Sequence, residues 1–100
     1  MARPEYARGG EMNIELYSSR WCGFCMRAKM LLDAKGVEYN EIDVDQDSAL
    51  RAQMMQRSGR RTVPQIFIDE VHVGGCDDLY ALERSGQLDE LLAKNSNDNN

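Results

Sequence analysis

Ile14-Glu15-Leu16-Tyr17-Ser18-Ser19-Arg20-Trp21-Cys22-Gly23-Phe24-Cys25-Met26-Arg27-Ala28-Lys29 decides how this chain folds. An apolar stretch, Ile14 to Tyr17, runs into two cysteines three positions apart. Helix-forming residues follow from Met26 to Ala34. A Cys-x-x-Cys at a strand-to-helix junction is the arrangement for reversible thiol–disulfide chemistry. At the start of a helix, unpaired backbone N–H groups and the positive end of the dipole favour the thiolate of Cys22. Cys25 lies about one turn further on, within disulfide reach. The competing readings are half of a structural zinc site or two unrelated core cysteines. The junction favours redox chemistry over both.

Size and charge narrow the setting. The 100 residues suit one domain with a real core. A net charge of −5 argues against nucleic acid as the main partner. No apolar run approaches a membrane span, and Met1 to Glu11 has no signal-peptide core. Three cysteines, an odd number, fit a reducing, cytoplasmic compartment better than a secreted disulfide framework. The basic residues are unevenly spread. Arg20, Arg27 and Lys29 fall in an acid-free stretch from Tyr17 to Met30, and Arg57, Arg60 and Arg61 in another from Arg57 to Ile68. Positive charge near a thiol favours its thiolate and attracts anionic ligands.

Working outward, Met1 to Glu11 reads as a disordered leader, with Met12 as an alternative start. The domain is expected over 12–93, followed by a polar tail over 94–100. Asn13 to Ser18 is the first strand, Met26 to Lys35 the first helix, and Val37 to Val44 the second strand. In that strand Val37 and Tyr39 share one parity, Ile42 and Val44 the other, which implies a bulge or bend. Asp47 caps a helix that ends at Gly59. Gln65 to Ile68 and Val71 to Val73 form a hairpin about Asp69-Glu70. A helix over Asp77 to Ser85 follows, then a last one with Leu88, Leu91 and Leu92 as its apolar face. The order β-α-β-α-β-β-α-α predicts an α/β, thioredoxin-like fold: a four-stranded mixed sheet flanked by helices.

Two further segments carry chemistry. In Thr62-Val63-Pro64, the proline belongs at the first position of a strand or in a special turn. A cis Val63–Pro64 bond would expose the Val63 N–H and C=O as an edge for an extended peptide, whereas the ordinary reading is a trans proline. Gly74-Gly75-Cys76-Asp77-Asp78 is a helix entrance whose N–H groups suit a carboxylate, and Asp77 suits an ammonium group. Asp77 as a simple helix cap is the plainer reading. His72 and Cys76, with Cys22 and Cys25, form a weaker alternative set of zinc ligands.

Tyr17-Ser18, Cys22-x-x-Cys25, Ala28-Lys29, Thr62-Val63-Pro64-Gln65-Ile66-Phe67-Ile68 and Gly74-Gly75-Cys76-Asp77-Asp78-Leu79 together resemble a glutaredoxin of the bacterial dithiol type, over about Asn13 to Leu92. The resemblance implies that Cys22 is the nucleophile and Cys25 the resolving thiol. Thr62, Val63 and a cis-Pro64 would hold the cysteinyl and glycine part of glutathione. Cys76 and Asp77 would receive its γ-glutamyl end, and Arg20, Phe24 and Gly75 complete the expected glutathione-binding set. Three departures stand out. Gly23-Phe24 replaces the usual Pro-Tyr, Ser19 stands where the family has a basic residue (Arg20 being the nearest replacement), and Trp21 is a thioredoxin-like feature. The monothiol branch is set aside by Cys25 and by the missing Trp-Pro loop.

The implied activity is glutathione-dependent reduction of protein disulfides and glutathione mixed disulfides. Glutathione is the co-substrate, regenerated by an NADPH-dependent reductase. A stabilised thiolate gains little in attack, because nucleophilicity falls as thiolate fraction rises, but it gains as a leaving group. The tuning therefore serves turnover. The expected protein is a cytoplasmic monomer with neither nucleic-acid nor membrane partners. The alternative is a homodimer holding a [2Fe–2S] cluster through Cys22 of each subunit and two glutathione thiolates, suggested by Gly23.

Overall fold

The computed structural model of the chain describes residues 12–96. The expected leader, 1–11, and the end of the expected tail, 97–100, lie outside them, while 94–96 belong to the last helix rather than to a tail. The elements are β1 (Ile14–Ser18), α1 (Gly23–Ala34), β2 (Asn40–Asp43), α2 (Ser48–Ser58), β3 (Gln65–Ile68), β4 (Val71–Gly74), α3 (Cys76–Ser85) and α4 (Gln87–Ser96). The strands form one sheet in the order β2-β1-β3-β4. β1 runs parallel to β2, and the β1–β3 and β3–β4 pairs are antiparallel. This is the expected α/β, thioredoxin-like arrangement. Among the described residues no helix is long and apolar enough to cross a membrane.

Strand alternation sends side chains to two cores. Ile14 and Leu16 of β1 join Ile66 and Ile68 of β3 on one face, under Ala28 and Leu32 of α1, Leu79 of α3, and Leu88 and Leu92 of α4. Tyr17 and Phe67 point the other way and meet Met54 of α2 together with Val44. Each fully buried Leu or Ile contributes about 1.5–3 kcal/mol relative to exposure.

The parity change in the second strand is resolved by these two faces. Val37 and Tyr39 pack on the α1 side, whereas Ile42 and Val44 pack on the α2 side. The β1–β2 pairing runs in register without a bulge, and the change of parity falls where 37–39 lie outside the strand. The strand itself is shorter than expected: Val37 N–H donates back to Leu32 O at 3.5 Å, so 37–39 leave α1 rather than pair.

Arg57 and Lys29 are held in ion pairs within the fold. Arg57 on α2 lies 4.0 Å from the Phe67 ring centroid, donates to Tyr17 Oη at 2.8 Å and pairs with Glu15 at 3.0 Å. It ties α2 to the sheet and does not surround a thiol. Lys29 is paired with Glu41 at 2.8 Å, and that cation holds the Glu41 carboxyl below the usual carboxylate range.

Candidate active site

The helix starts earlier than expected, at Gly23 rather than Met26, because Cys22 is itself the N-cap. Its backbone is extended (φ −111°, ψ 107°) and its Sγ accepts from Cys25 N–H at 3.1 Å. The sulfur thus takes the place of a capping oxygen on one of the helix's unpaired donors. The turn before it is tight. Trp21 has a left-handed φ of 60° and is 94% exposed, while Arg20 N–H donates to Asp45 Oδ2 at 3.1 Å. A non-glycine residue there costs about 1–2 kcal/mol. Nothing in the sequence signals that conformation.

Cys25 is buried on the inner face of α1, 1% exposed. Burial pushes its thiol up to about 12, and the neighbouring Cys22 sulfur adds to this; the Ser19 N–H and the Lys29 charge pull it back. Cys76 is also buried and is likewise raised, chiefly by burial. All three cysteines are free thiols. Cys22 alone combines a helix start with partial exposure.

Across from Cys22 lies Val63, whose carbonyl is 4.0 Å from Cys22 Sγ, and the Val63–Pro64 peptide is cis. A groove of about 300 Å³ runs away from this point. Its lining brings together seven of the predicted residues, Phe24, Thr62, Val63, Pro64, Gly75, Cys76 and Asp77. Arg60 and Asp78, which the sequence placed in a basic stretch and a helix entrance but not among the binding residues, join them. Arg20 is placed elsewhere. It lines a second depression that also contains Cys22 and Cys25, with Trp21, Met26 and Lys29.

The entrance to α3 is held by Asp78, not Asp77. Asp78 Oδ2 accepts from Gly75 N–H at 2.9 Å and from Arg60 Nη1 at 3.0 Å. Those two donors, the backbone N–H first, keep its carboxyl below the usual range. The helix begins at Cys76, one residue before the expected start, because Asp78 at its third position completes half of a capping box. Asp77 is exposed, and no side-chain hydrogen bond engages it among the described residues. Gly74 must be glycine: its φ is 115°, and a Cβ there would run into the Asp78 carboxylate.

No group of three or more potential metal ligands forms among the described residues, so the zinc set is not assembled. His72 is engaged by Gln65 Oε1 at 2.7 Å instead.

Gly23 occupies the first helical position, where proline is well tolerated, and a Cβ there would meet nothing within 4 Å. The extended backbone of Cys22 is also what a residue before proline prefers. Gly23→Pro is therefore expected to stabilise the fold by about 0.4–1 kcal/mol through the unfolded chain. Thermal unfolding checks this, and a lowered midpoint would show that the position needs glycine.

Comparison with known proteins agrees with this geometry. The glutaredoxin family model matches residues 14–73. Glutaredoxin 3 of Escherichia coli (strain K12) is 56% identical over 80 residues, covering 80% of this chain and 96% of that protein. A Pseudomonas aeruginosa glutaredoxin is 54% identical over 80 residues, covering 80% and 95%. Among solved structures, the glutaredoxin of Brucella melitensis superposes with a TM-score of 0.74 at 56% identity, over 85% of this chain and 92% of that one. A buckwheat glutaredoxin–glutathione complex gives 0.76 at 38% identity, over 82% and 77%. With Cys22 and Cys25 forming its dithiol at the head of α1, the chain belongs to the glutaredoxin family and is a glutathione-dependent thiol–disulfide oxidoreductase.

Proposed function

We propose that the groove between α1, Thr62–Pro64 and the start of α3 receives glutathione, and that Cys22 is the nucleophile at its head. The observation that carries this reading is the Cys22 sulfur, capping α1 and facing Val63 O at the end of a groove lined by both predicted segments. The Cys22 thiolate attacks the glutathione sulfur of a mixed disulfide. A Cys22–glutathione disulfide forms, and the protein thiolate leaves and takes a proton from water. A second glutathione thiolate then attacks the glutathione sulfur of that intermediate, releasing glutathione disulfide and restoring Cys22.

Within the groove, Asp77 takes the γ-glutamyl ammonium, and the N–H groups at the start of α3 take its carboxylate. Arg60 stands at the groove where the glycine carboxylate needs a cation, a part the sequence had suggested for Arg20. The bound peptide runs along the Thr62–Pro64 edge, with Phe24, Gly75 and Cys76 as its remaining contacts. The substrates are glutathionylated or disulfide-containing proteins of the cytoplasm, and an NADPH-dependent reductase recycles glutathione.

The cluster-bound homodimer is not favoured. Its one supporting feature was Gly23, whereas the Cys22 and Cys25 dithiol and the groove lining both support the enzyme reading.

The deciding experiment is reduction of a glutathione mixed disulfide by wild-type protein and by Cys25→Ser. Burial raises the Cys25 thiol, and free glutathione can resolve a Cys22–glutathione disulfide without it, whereas a Cys22–protein disulfide needs the intramolecular thiol. Cys25→Ser is expected to keep mixed-disulfide reduction within about twofold of wild type, while losing most reduction of protein disulfides. Equal loss of both activities would refute this division.

A further inference from the structure

Gln65 is a polar side chain with 0% exposure in the first position of β3. Its Nε2 donates to Thr62 O at 2.9 Å and to Thr62 Oγ1 at 3.3 Å, and its Oε1 lies 2.7 Å from His72 Nε2. With the amide donors committed to Thr62, His72 must present its Nε2–H to Oε1. The ring of His72 stacks on Phe67 with centroids 4.8 Å apart, a ring that Arg57 also covers.

An irregularity in the sheet makes this possible. Ile66 pairs with Gly74 but Phe67 pairs with His72, so Val73 is an extra residue in β4. In a regular ladder, pairing Gly74 with Ile66 would set His72 opposite Ile68, on the face of the larger core. The bulge turns His72 to the Phe67 and Gln65 face instead.

We propose that Gln65, oriented by His72, is the positioning residue that sets the Thr62–Pro64 wall of the groove for glutathione. An apolar side chain would fill this buried place without needing partners, whereas an amide is tolerated only when it is hydrogen-bonded. Both of the amide's donor bonds end on Thr62, next to the carbonyl that faces Cys22. The inference rests on the reading of this groove as the glutathione site.

The test compares two substrates, with dithiothreitol as the turnover reductant for both. One is the mixed disulfide of glutathione with a short cysteine peptide; the other is the symmetric disulfide of that peptide. Wild type should show the lower KM for the glutathione-bearing substrate. Gln65→Met should raise that KM about fivefold, the order of one lost neutral hydrogen bond, with kcat and the symmetric substrate within about twofold. His72→Phe keeps an aromatic ring against Phe67 and should move the same KM about twofold to threefold. If Gln65→Met does not fold, His72→Phe decides by the same criteria. An equal loss on both substrates, or an unchanged KM on both, overturns the proposal. Should wild type make no distinction between the substrates, the groove reading fails and the proposal falls with it.

Discussion

Replacing Cys22 by serine is expected to bring glutathione-dependent disulfide reduction down to the rate without protein. Catalysis here needs a sulfur that is ionised, exposed and able to leave again as a thiolate. Among the described residues Cys22 alone is a partly exposed thiol at a helix start, with Val63 O across from it. Cys25 and Cys76 are 1% and 6% exposed, and burial raises both thiols. A serine oxygen can still accept from Cys25 N–H, so the helix cap should survive and the loss should be purely chemical. Stopped assays with a glutathione mixed disulfide, with circular dichroism to confirm folding, check the result. Residual turnover well above background would move the nucleophile to another thiol.

Asp77→Ala should weaken glutathione binding by about tenfold or more. A charge-assisted hydrogen bond to the γ-glutamyl ammonium is worth about 1.5–3 kcal/mol, and 1.4 kcal/mol is one decade. The structure makes this a cleaner experiment than the sequence suggested. Capping of α3 falls to Asp78, and among the described residues no side-chain hydrogen bond of Asp77 is there to lose. Stability should therefore change by no more than about 0.5 kcal/mol. Asp78→Ala is the contrasting control: it removes the bonds from Gly75 N–H and Arg60 and should cost about 1 kcal/mol of stability. The decisive comparison sets glutathione against an analogue lacking the α-amino group. Equal weakening of both ligands by Asp77→Ala would show that the carboxylate does not meet the ammonium.

What the chain order determines unaided is local and periodic. Short apolar stretches at Ile14 to Tyr17 and Gln65 to Ile68, the Asp47 cap and the Gly59 stop place strands and helices, because each signal is read within a few residues. The Cys22–Cys25 spacing on a strand–helix junction and the Thr62–Pro64 and Gly74–Asp78 segments likewise announce the chemistry before any contact is known. The tertiary structure decided what depends on residues far apart in sequence. It put Arg20 in a depression with Cys22, apart from the groove lining, and brought Arg60 and Asp78 into the groove. It gave the α3 cap to Asp78 and committed Arg57 to Glu15 and Phe67. It buried Cys25 while leaving Cys22 partly open, although the two sit three residues apart on the same helix start. Charge and exposure are set by which elements pack together, and that packing is not written in any single segment of the chain.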